Sequence, residues 1–134
     1  MSHYSKIQTE IVDQESLLKA LAGLGYRNVE VHDYPVNLFG YRGDMRAEKA
    51  NVVIRRRFVG DASNDVGFVK NADGIFQAVI SEWDQQLLGA DWVQKVCQAY
   101  AYQAVVAKLE EQGYSIATQE VDPATKKIRL VLKR

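Results

Sequence analysis

The strongest constraint on the fold is a long stretch in which apolar side chains recur at helical spacing. Asp91 is a good N-cap, and Gly113 fits the left-handed position that ends a helix, so the pattern predicts one helix between them. Its apolar face comprises Val93, Val96, Cys97, Tyr100, Ala101, Ala104, Val105 and Leu109. A stripe this wide needs a broad apolar surface to pack on, and we expect that surface to be a β-sheet.

The remaining segments supply that sheet and a second helix. Alternation of apolar and polar residues predicts a first strand at 5–12, and a helix follows from Asp13 to Gly25. Further strands are predicted at 28–34, 50–58, 65–69 and 75–81, with a hairpin turn at 71–74, an irregular segment at 35–50 and a last hairpin around Asp122-Pro123. This order favours an α+β fold, with a mainly antiparallel sheet, two helices packed on one face and the other face partly wet.

Length and composition describe an ordinary globular protein. The chain has 134 residues, which predicts a single domain over 1–134. Its 17 basic and 17 acidic residues balance, so no net field favours nucleic acid or an anionic membrane. The one cysteine, Cys97, excludes an intramolecular disulfide and is expected to be buried. Without a leader-like start or an apolar run of about 20 residues, we expect a cytoplasmic protein.

Two segments resemble each other. "KALAGLGYRNVEV" and "AKLEEQGYSIATQEV" both run from a helix through Gly-Tyr into a strand. A duplicated helix–strand unit would produce this pattern. Chance would also produce it, because a glycine followed by an aromatic residue is a natural way to leave a helix.

The most unusual local motif is "FGYRGD" at 39–44, in which glycines flank Tyr41 and Arg42. Glycine amides together with an arginine can hold a phosphate, but no P-loop lysine or GxGxxG frame accompanies them. A tight bend, with Tyr41 packed and Arg42 salt-bridged, is the favoured interpretation. A partner or ligand contact is the alternative.

Basic residues suggest a second kind of surface. In "IRRRF" at 54–58, Arg55 and Arg57 are expected on one side of a strand. Arg56 then falls on the core side, so it needs a carboxylate partner, or the strand must end or bulge there. In the last strand, Ile128, Leu130 and Leu132 are expected to face inward and Lys127, Arg129 and Lys133 outward. The outward cations and the arginines would form a basic sheet face, which is the basis of a nucleic-acid hypothesis.

Other residues that could carry chemistry give weak patterns. His3 and His32, with nearby carboxylates, lack the spacing of a metal site, and no Ser-His-Asp or Cys-His arrangement is indicated. The acidic residues in the middle of the chain are expected in solvated turns and caps; they are Asp61, Asp65, Asp73, Glu82, Asp84 and Asp91. Trp83 and Trp92 flank a predicted loop or short turn. We expect both to be buried; if exposed, they would serve as interface anchors.

The motifs taken together resemble one family. "MSHYSKIQTEI", "LLKALAGLGY", "GYRG", "NVVIRR", "DVGFV", "SEWD", "YAYQAVVAKLEEQGY" and "IRLVLKR" occur in the order found in the Ycf35 family of cyanobacteria and algal plastids, which also has bacterial and phage relatives. The resemblance covers essentially all of residues 1–134. It implies that the ordered start is a first strand. It carries over no catalytic residue, cofactor or metal ligand.

The function implied by this resemblance is that of a non-catalytic accessory or adaptor module. Members of the family are encoded near an AAA-type ATPase and small ferredoxin-like proteins, which would make such proteins the partners, in the cytoplasm or in a plastid stroma. The expected partner-binding residues are His3, Tyr41, Arg42, Arg55, Arg57 and Trp83. All but Arg57 lie in motifs that match the family, and Arg57 follows from the local basic patch. A small enzyme or metal-binding protein built on His3 and His32 is the first alternative, and a nucleic-acid binder is the second.

Overall fold

The computed structural model describes residues 3–134 and shows an α+β fold. Its elements are β1 (Tyr4–Gln8), α1 (Gln14–Gly23), β2 (Val29–Phe39), β3 (Met45–Ile54), a 3₁₀ turn (Arg56–Phe58), β4 (Val66–Lys70), β5 (Phe76–Ser81), α2 (Glu82–Leu88), α3 (Trp92–Glu111), β6 (Ser115–Val121) and β7 (Ile128–Lys133). Each predicted helix and strand is present with shifted ends. Helix α2 was not predicted, because the segment that forms it was interpreted as a loop.

Five strands form the main sheet, in the order β1-β5-β4-β3-β2, and every neighbouring pair is antiparallel. Helices α1 and α3 pack on one face of this sheet, as predicted, and the main core lies between the layers. That core includes Leu17, Leu21, Phe68, Phe76, Ile80, Trp92 and Val96. Cys97, on α3, is only partly buried. Among residues 3–134, no helix combines the length and apolarity needed to cross a bilayer.

The second face of the sheet is covered in part by the far half of the β2–β3 hairpin. The prediction that residues 35–50 are irregular was wrong for 35–39 and 45–50, where β2 and β3 continue, and holds only for the turn between these strands. The pairing of β2 with β3 shifts register twice, first between Val31 and Val36, a segment that contains Pro35, and again between Asn37 and Phe39, and such shifts bend the hairpin. The bend buries a small second cluster made of Leu38, Ala50, Val53 and Val79. A Cβ at Gly67 would lie 2.4 Å from the Cβ of Ala50, so only glycine permits this close approach.

Strand β3 ends at Ile54, four residues earlier than predicted. The chain turns there because the backbone N–H of Arg56 donates to the buried carboxylate of Asp65 at 2.7 Å. Residues Arg56–Phe58 then form the 3₁₀ turn. Arg55 and Arg57 therefore do not share one side of a strand, as the alternation had suggested.

Strands β6 and β7 form a separate two-stranded sheet. Ile128 and Leu132, which were expected to face the core, are 43% and 36% exposed, and Leu130 is partly buried. The cations of β7 consequently lie on a different sheet from the strand that precedes Arg55. The continuous basic sheet face on which the nucleic-acid hypothesis depended does not form.

The helix ends explain the internal resemblance. Asp13 caps α1 as predicted, since its carboxylate accepts from Ser16 N at 3.2 Å, whereas the side chain of Asp91 makes no cap hydrogen bond to α3. Gly25 and Gly113 both adopt positive φ after their helices, at +103° and +88°. The following tyrosine N–H bonds back to a leucine carbonyl in each case, which is the Schellman arrangement. The strands that follow enter different sheets.

Candidate functional site

A buried carboxylate organises the end of the β2–β3 hairpin. Asp65 is 1% exposed, and its two oxygens accept three hydrogen bonds. Oδ1 accepts from Arg56 N at 2.7 Å, and Oδ2 accepts from Phe39 N at 2.7 Å and from Arg55 Nη1 at 2.8 Å. The prediction that Asp65 lies in a solvated turn was therefore wrong. A buried carboxylate is tolerated here because each oxygen is hydrogen-bonded and a guanidinium compensates the charge.

Arg55 connects Asp65 to a second carboxylate at the surface. Its Nε and Nη2 donate to the two oxygens of Glu30, both at 2.8 Å, which is the bidentate geometry of strong arginine–carboxylate pairs. These hydrogen bonds from Arg55 lower the pKa of Glu30 to about 2, and a smaller contribution comes from His32, whose Nε2 lies 2.8 Å from Glu30 Oε1. Arg55 thus directs its side-chain donors to two carboxylates within the protein.

A second buried network lies beside the first. Asp84 is fully buried, and its Oδ2 accepts from Asn64 N at 3.1 Å and from Ser81 Oγ at 2.7 Å. The expectation that Asp84 is solvated was wrong, although it does lie in the first turn of α2, whose N-cap is Ser81. Asn64 Oδ1 accepts from Tyr41 N at 3.0 Å. The network therefore links the start of α2 to the GYRG segment.

The GYRG segment (40–43) is the turn of the β2–β3 hairpin. Gly40 N donates to Asp44 O, and Gly43 N donates to Gly40 O, both at 2.8 Å. Gly43 has φ +78°, which disfavours any residue with a Cβ. A tight bend was thus the correct prediction. The prediction that Tyr41 is packed and Arg42 is salt-bridged was wrong, because Tyr41 is 40% exposed and the exposed Arg42 guanidinium lies over the Tyr41 ring, 5.2 Å from its centre.

The 3₁₀ turn lies against this hairpin turn. Arg56 Nη1 donates to Tyr41 O at 2.9 Å. The guanidinium of the exposed Arg57 lies over the Phe58 ring, 4.7 Å from the ring centre. A depression of about 450 Å³ separates the two turns. We define the arginine–aromatic surface as Tyr41, Arg42, Arg56, Arg57 and Phe58. Both of its segments are anchored by Asp65, through Phe39 N on one side and Arg56 N on the other.

The two remaining predicted contact residues lie at the N-terminal end of α2. His3 O accepts from Glu82 N at 2.8 Å. Trp83 follows on the helix and is 46% exposed, whereas Trp92 is 6% exposed. The prediction of burial was therefore correct for Trp92 and wrong for Trp83. Trp92 Nε1 donates to Tyr26 OH at 3.2 Å, so its one polar atom is satisfied within the core.

The structure gives no support to a metal site built on the two histidines. His3 directly precedes β1 and His32 lies in β2, and these are the two edge strands of the five-stranded sheet. Across residues 3–134, no three His, Cys, Asp or Glu side chains are placed to hold one metal ion. The residues that sequence reasoning missed are Glu30, Asn64, Asp65 and Asp84. Apart from His32 near Glu30 and Ser81 near Asp84, the partners of these residues described above are 9 to 26 positions distant in the chain, so no local motif marks them.

Comparison with known proteins places the whole chain in one group. The family model described as "Protein of unknown function (DUF1257)" matches residues 20–131. The "Uncharacterized protein ycf35" of Cyanophora paradoxa is 30% identical over 135 residues, covering 100% of this chain and 98% of that protein. The protein of the same description from Pyropia yezoensis is 26% identical over 136 residues, with the same coverage. No solved structure matches the chain.

Proposed function

The chain belongs to the DUF1257 family, and we propose that it is a non-catalytic accessory module that binds a protein partner through the arginine–aromatic surface. The observation that carries this proposal is the combination of exposed Arg42, Arg57, Tyr41 and Phe58 on two turns that one buried carboxylate fixes. Tyrosine, tryptophan and arginine are enriched among the few residues that carry most of the binding energy at protein interfaces. A surface that is rigid before binding loses less conformational entropy when the partner docks.

The charges of the surface indicate the kind of partner. Arg42 and Arg57 are exposed, and Asp44 is the acidic residue at the edge of the turn. The buried Asp65 and the partly exposed Glu30 both form ion pairs with Arg55, so their carboxylates offer little negative charge to an incoming molecule. We therefore propose an acidic partner surface. The AAA-type ATPase and the ferredoxin-like protein suggested by the family resemblance are the first partners to test, in the cytoplasm or the plastid stroma.

Trp83 extends the proposal to α2. Its side chain is 46% exposed on a helix that Asn64 and Asp84 join to the GYRG turn. An exposed tryptophan at a fixed position is a suitable anchor for a partner pocket. His3 lies beside the same helix end through its carbonyl. We propose that both residues flank the contact made by the arginine–aromatic surface.

The test is a quantitative pull-down from native lysate, with the double substitution Tyr41→Ala, Arg42→Ala. The matched control is Tyr34→Ala, Arg27→Ala, which removes the same two residue types from exposed positions elsewhere. We expect a partner that the control retains and the turn variant loses. Equal retention by both variants would make GYRG a structural bend only. Absence of any captured partner would count against an accessory role.

A nucleic-acid role is the second proposal, because three arginines line the depression between the two turns. The same depression contains Asp65, and Arg55 is already paired with two carboxylates, which weakens its attraction for phosphate. Mobility shift of single-stranded RNA at low salt separates the two proposals. Binding that weakens steeply with salt and is lost in Arg42→Ala, Arg57→Ala would favour nucleic acid.

A further inference from the structure

A second surface lies on the helical side of the molecule, where the arginine–aromatic surface has no residues. A groove of about 740 Å³ runs between α1, α3 and β7. Three of its apolar residues are well exposed: Leu24 is 41%, Val105 53% and Ile128 43% exposed. Apolar side chains gathered in one exposed groove mark a binding surface, whereas single exposed ones need no explanation. We call this feature the helical groove.

The charged residues that line the helical groove are all lysines. Lys19, Lys95 and Lys126 line it, and no Asp or Glu does. The ion pairs of Lys19 with Glu15 and of Lys95 with Asp91 have N–O distances of 3.7 Å and are more than half exposed. Such surface pairs hold their lysines weakly, so these ammonium groups can turn toward an anionic ligand.

Shape argues for a polypeptide in this groove. A site for a small molecule encloses most of its ligand, whereas here the side chains of Leu24, Val105 and Ile128 remain about half in water. The helix positions between them carry small residues, including Ala20, Gly23 and Ala101. Small residues allow another backbone to approach closely, as in helix–helix packing. The opposite wall is β7, and Tyr102 OH donates to Gln119 on β6 and so holds the hairpin beside α3.

We propose that the helical groove binds an amphipathic helix of a partner protein that is apolar on one side and acidic along its edges. The apolar side would cover Leu24, Val105 and Ile128, and the acidic edges would meet the three lysines. This surface is distinct from the arginine–aromatic surface, so the protein would join two partner segments at once. That is the behaviour expected of an adaptor, but the groove proposal stands without it.

The probe is a displayed library of 16-residue peptides with helical apolar spacing, in which the flanking positions are drawn equally from Glu, Lys, Gln and Ser. We expect selection on the full chain to enrich Glu at the flanking positions and to keep the helical spacing. Binding of the enriched peptide, measured by fluorescence anisotropy, should fall at least about tenfold in Val105→Glu. The control is Val12→Glu, which adds the same charge at a site of similar exposure outside the groove.

Two further variants keep the test decisive. Ala101→Glu repeats the block at another exposed groove position, in case Val105→Glu disturbs folding, which circular dichroism will show. Replacement of all three lysines by glutamine should remove most of the salt dependence of binding. The Tyr41→Ala, Arg42→Ala variant should bind the peptide normally, whatever becomes of the first proposal. Failure to enrich any helical pattern, enrichment of Lys, or a dimer of this chain that Val105→Glu abolishes would overturn the proposal.

Discussion

The substitution Asp65→Asn tests whether the buried carboxylate holds the hairpin end in place. In the more favourable amide orientation, the remaining oxygen still accepts from Phe39 N and Arg55, and the new NH₂ group faces Arg56 N. One backbone donor then loses its acceptor, at a cost of about 1–3 kcal/mol. The charge beside Arg55 is also lost, although Glu30 still compensates that guanidinium. Together these effects should lower the free energy of unfolding by about 2–4 kcal/mol, about 1 kcal/mol less at each end than the roughly 3–5 kcal/mol of a fully broken buried pair.

The assay is urea denaturation followed by tryptophan fluorescence. The midpoint should fall while the dependence on urea concentration stays the same, because the folded state remains compact. Asp61→Asn, at an exposed position, is the matched control and should change the free energy of unfolding by less than about 0.5 kcal/mol. A loss below about 1 kcal/mol in Asp65→Asn would refute the reasoning. A double-mutant cycle with Arg55→Gln should then give a coupling energy of about 1.5–3 kcal/mol if the charged hydrogen bond matters.

Three other predictions follow from the same structure. The pKa of Glu30 is about 2 in the folded chain against an ordinary 4.5, and Arg55→Gln should return it toward 4.5 in a carbon-detected NMR titration. Because the folded pKa is the lower one, the stabilisation that ionised Glu30 contributes is complete above pH 4.5 and is lost as the pH falls toward 2. Gly67→Ala should lower the free energy of unfolding in urea melts by about 1–3 kcal/mol, since its Cβ meets the facing strand at 2.4 Å, whereas Gly23→Ala, with open space around it, should be neutral or stabilising. Trp83→Ala should remove the iodide-quenchable part of the fluorescence and change stability by less than about 1 kcal/mol, because nearly half of that side chain is in water; an unchanged quenching curve would contradict its exposure.

Sequence periodicity predicted the elements because their burial patterns are local. The α3 stripe repeats every three to four residues, and Val93, Val96 and Tyr100 are buried as expected, whereas Ala101 and Val105, which were predicted on the same packing face, are exposed. The caps at Asp13 and Gly25 also depend on only a few neighbouring residues. The β6–β7 hairpin was recognised for the same reason. Its attachment to the main sheet was mispredicted, because alternation shows which side chains share a face and not what covers that face.

The candidate site could not be read in the same way, because its bonds join distant positions. Their residue type and their position between predicted strands suggested that Asp65 and Asp84 lie in solvated turns or caps. Both do lie near chain turns, but both are buried. What reverses the expectation is the set of donors that reach them from β2, the 3₁₀ turn and Asn64. The "RRR" run illustrates the same limit. Alternation alone assigned its three arginines to strand faces, whereas a single hydrogen bond to Asp65 ends the strand before them.

The same carboxylate that stabilises the fold also fixes the proposed contact surface, so the two roles must be separated by experiment. Arg42→Ala removes an exposed side chain and should weaken partner binding without changing the unfolding midpoint. Asp65→Asn should weaken binding through the position of the two turns, and therefore with a loss of stability. If the carboxylate positions Arg42, the double variant should lose less binding free energy than the sum of the two single losses. The reason is that the loosened turn has already displaced Arg42. Full additivity together with an unchanged midpoint in Asp65→Asn would mean that the carboxylate does not position the surface.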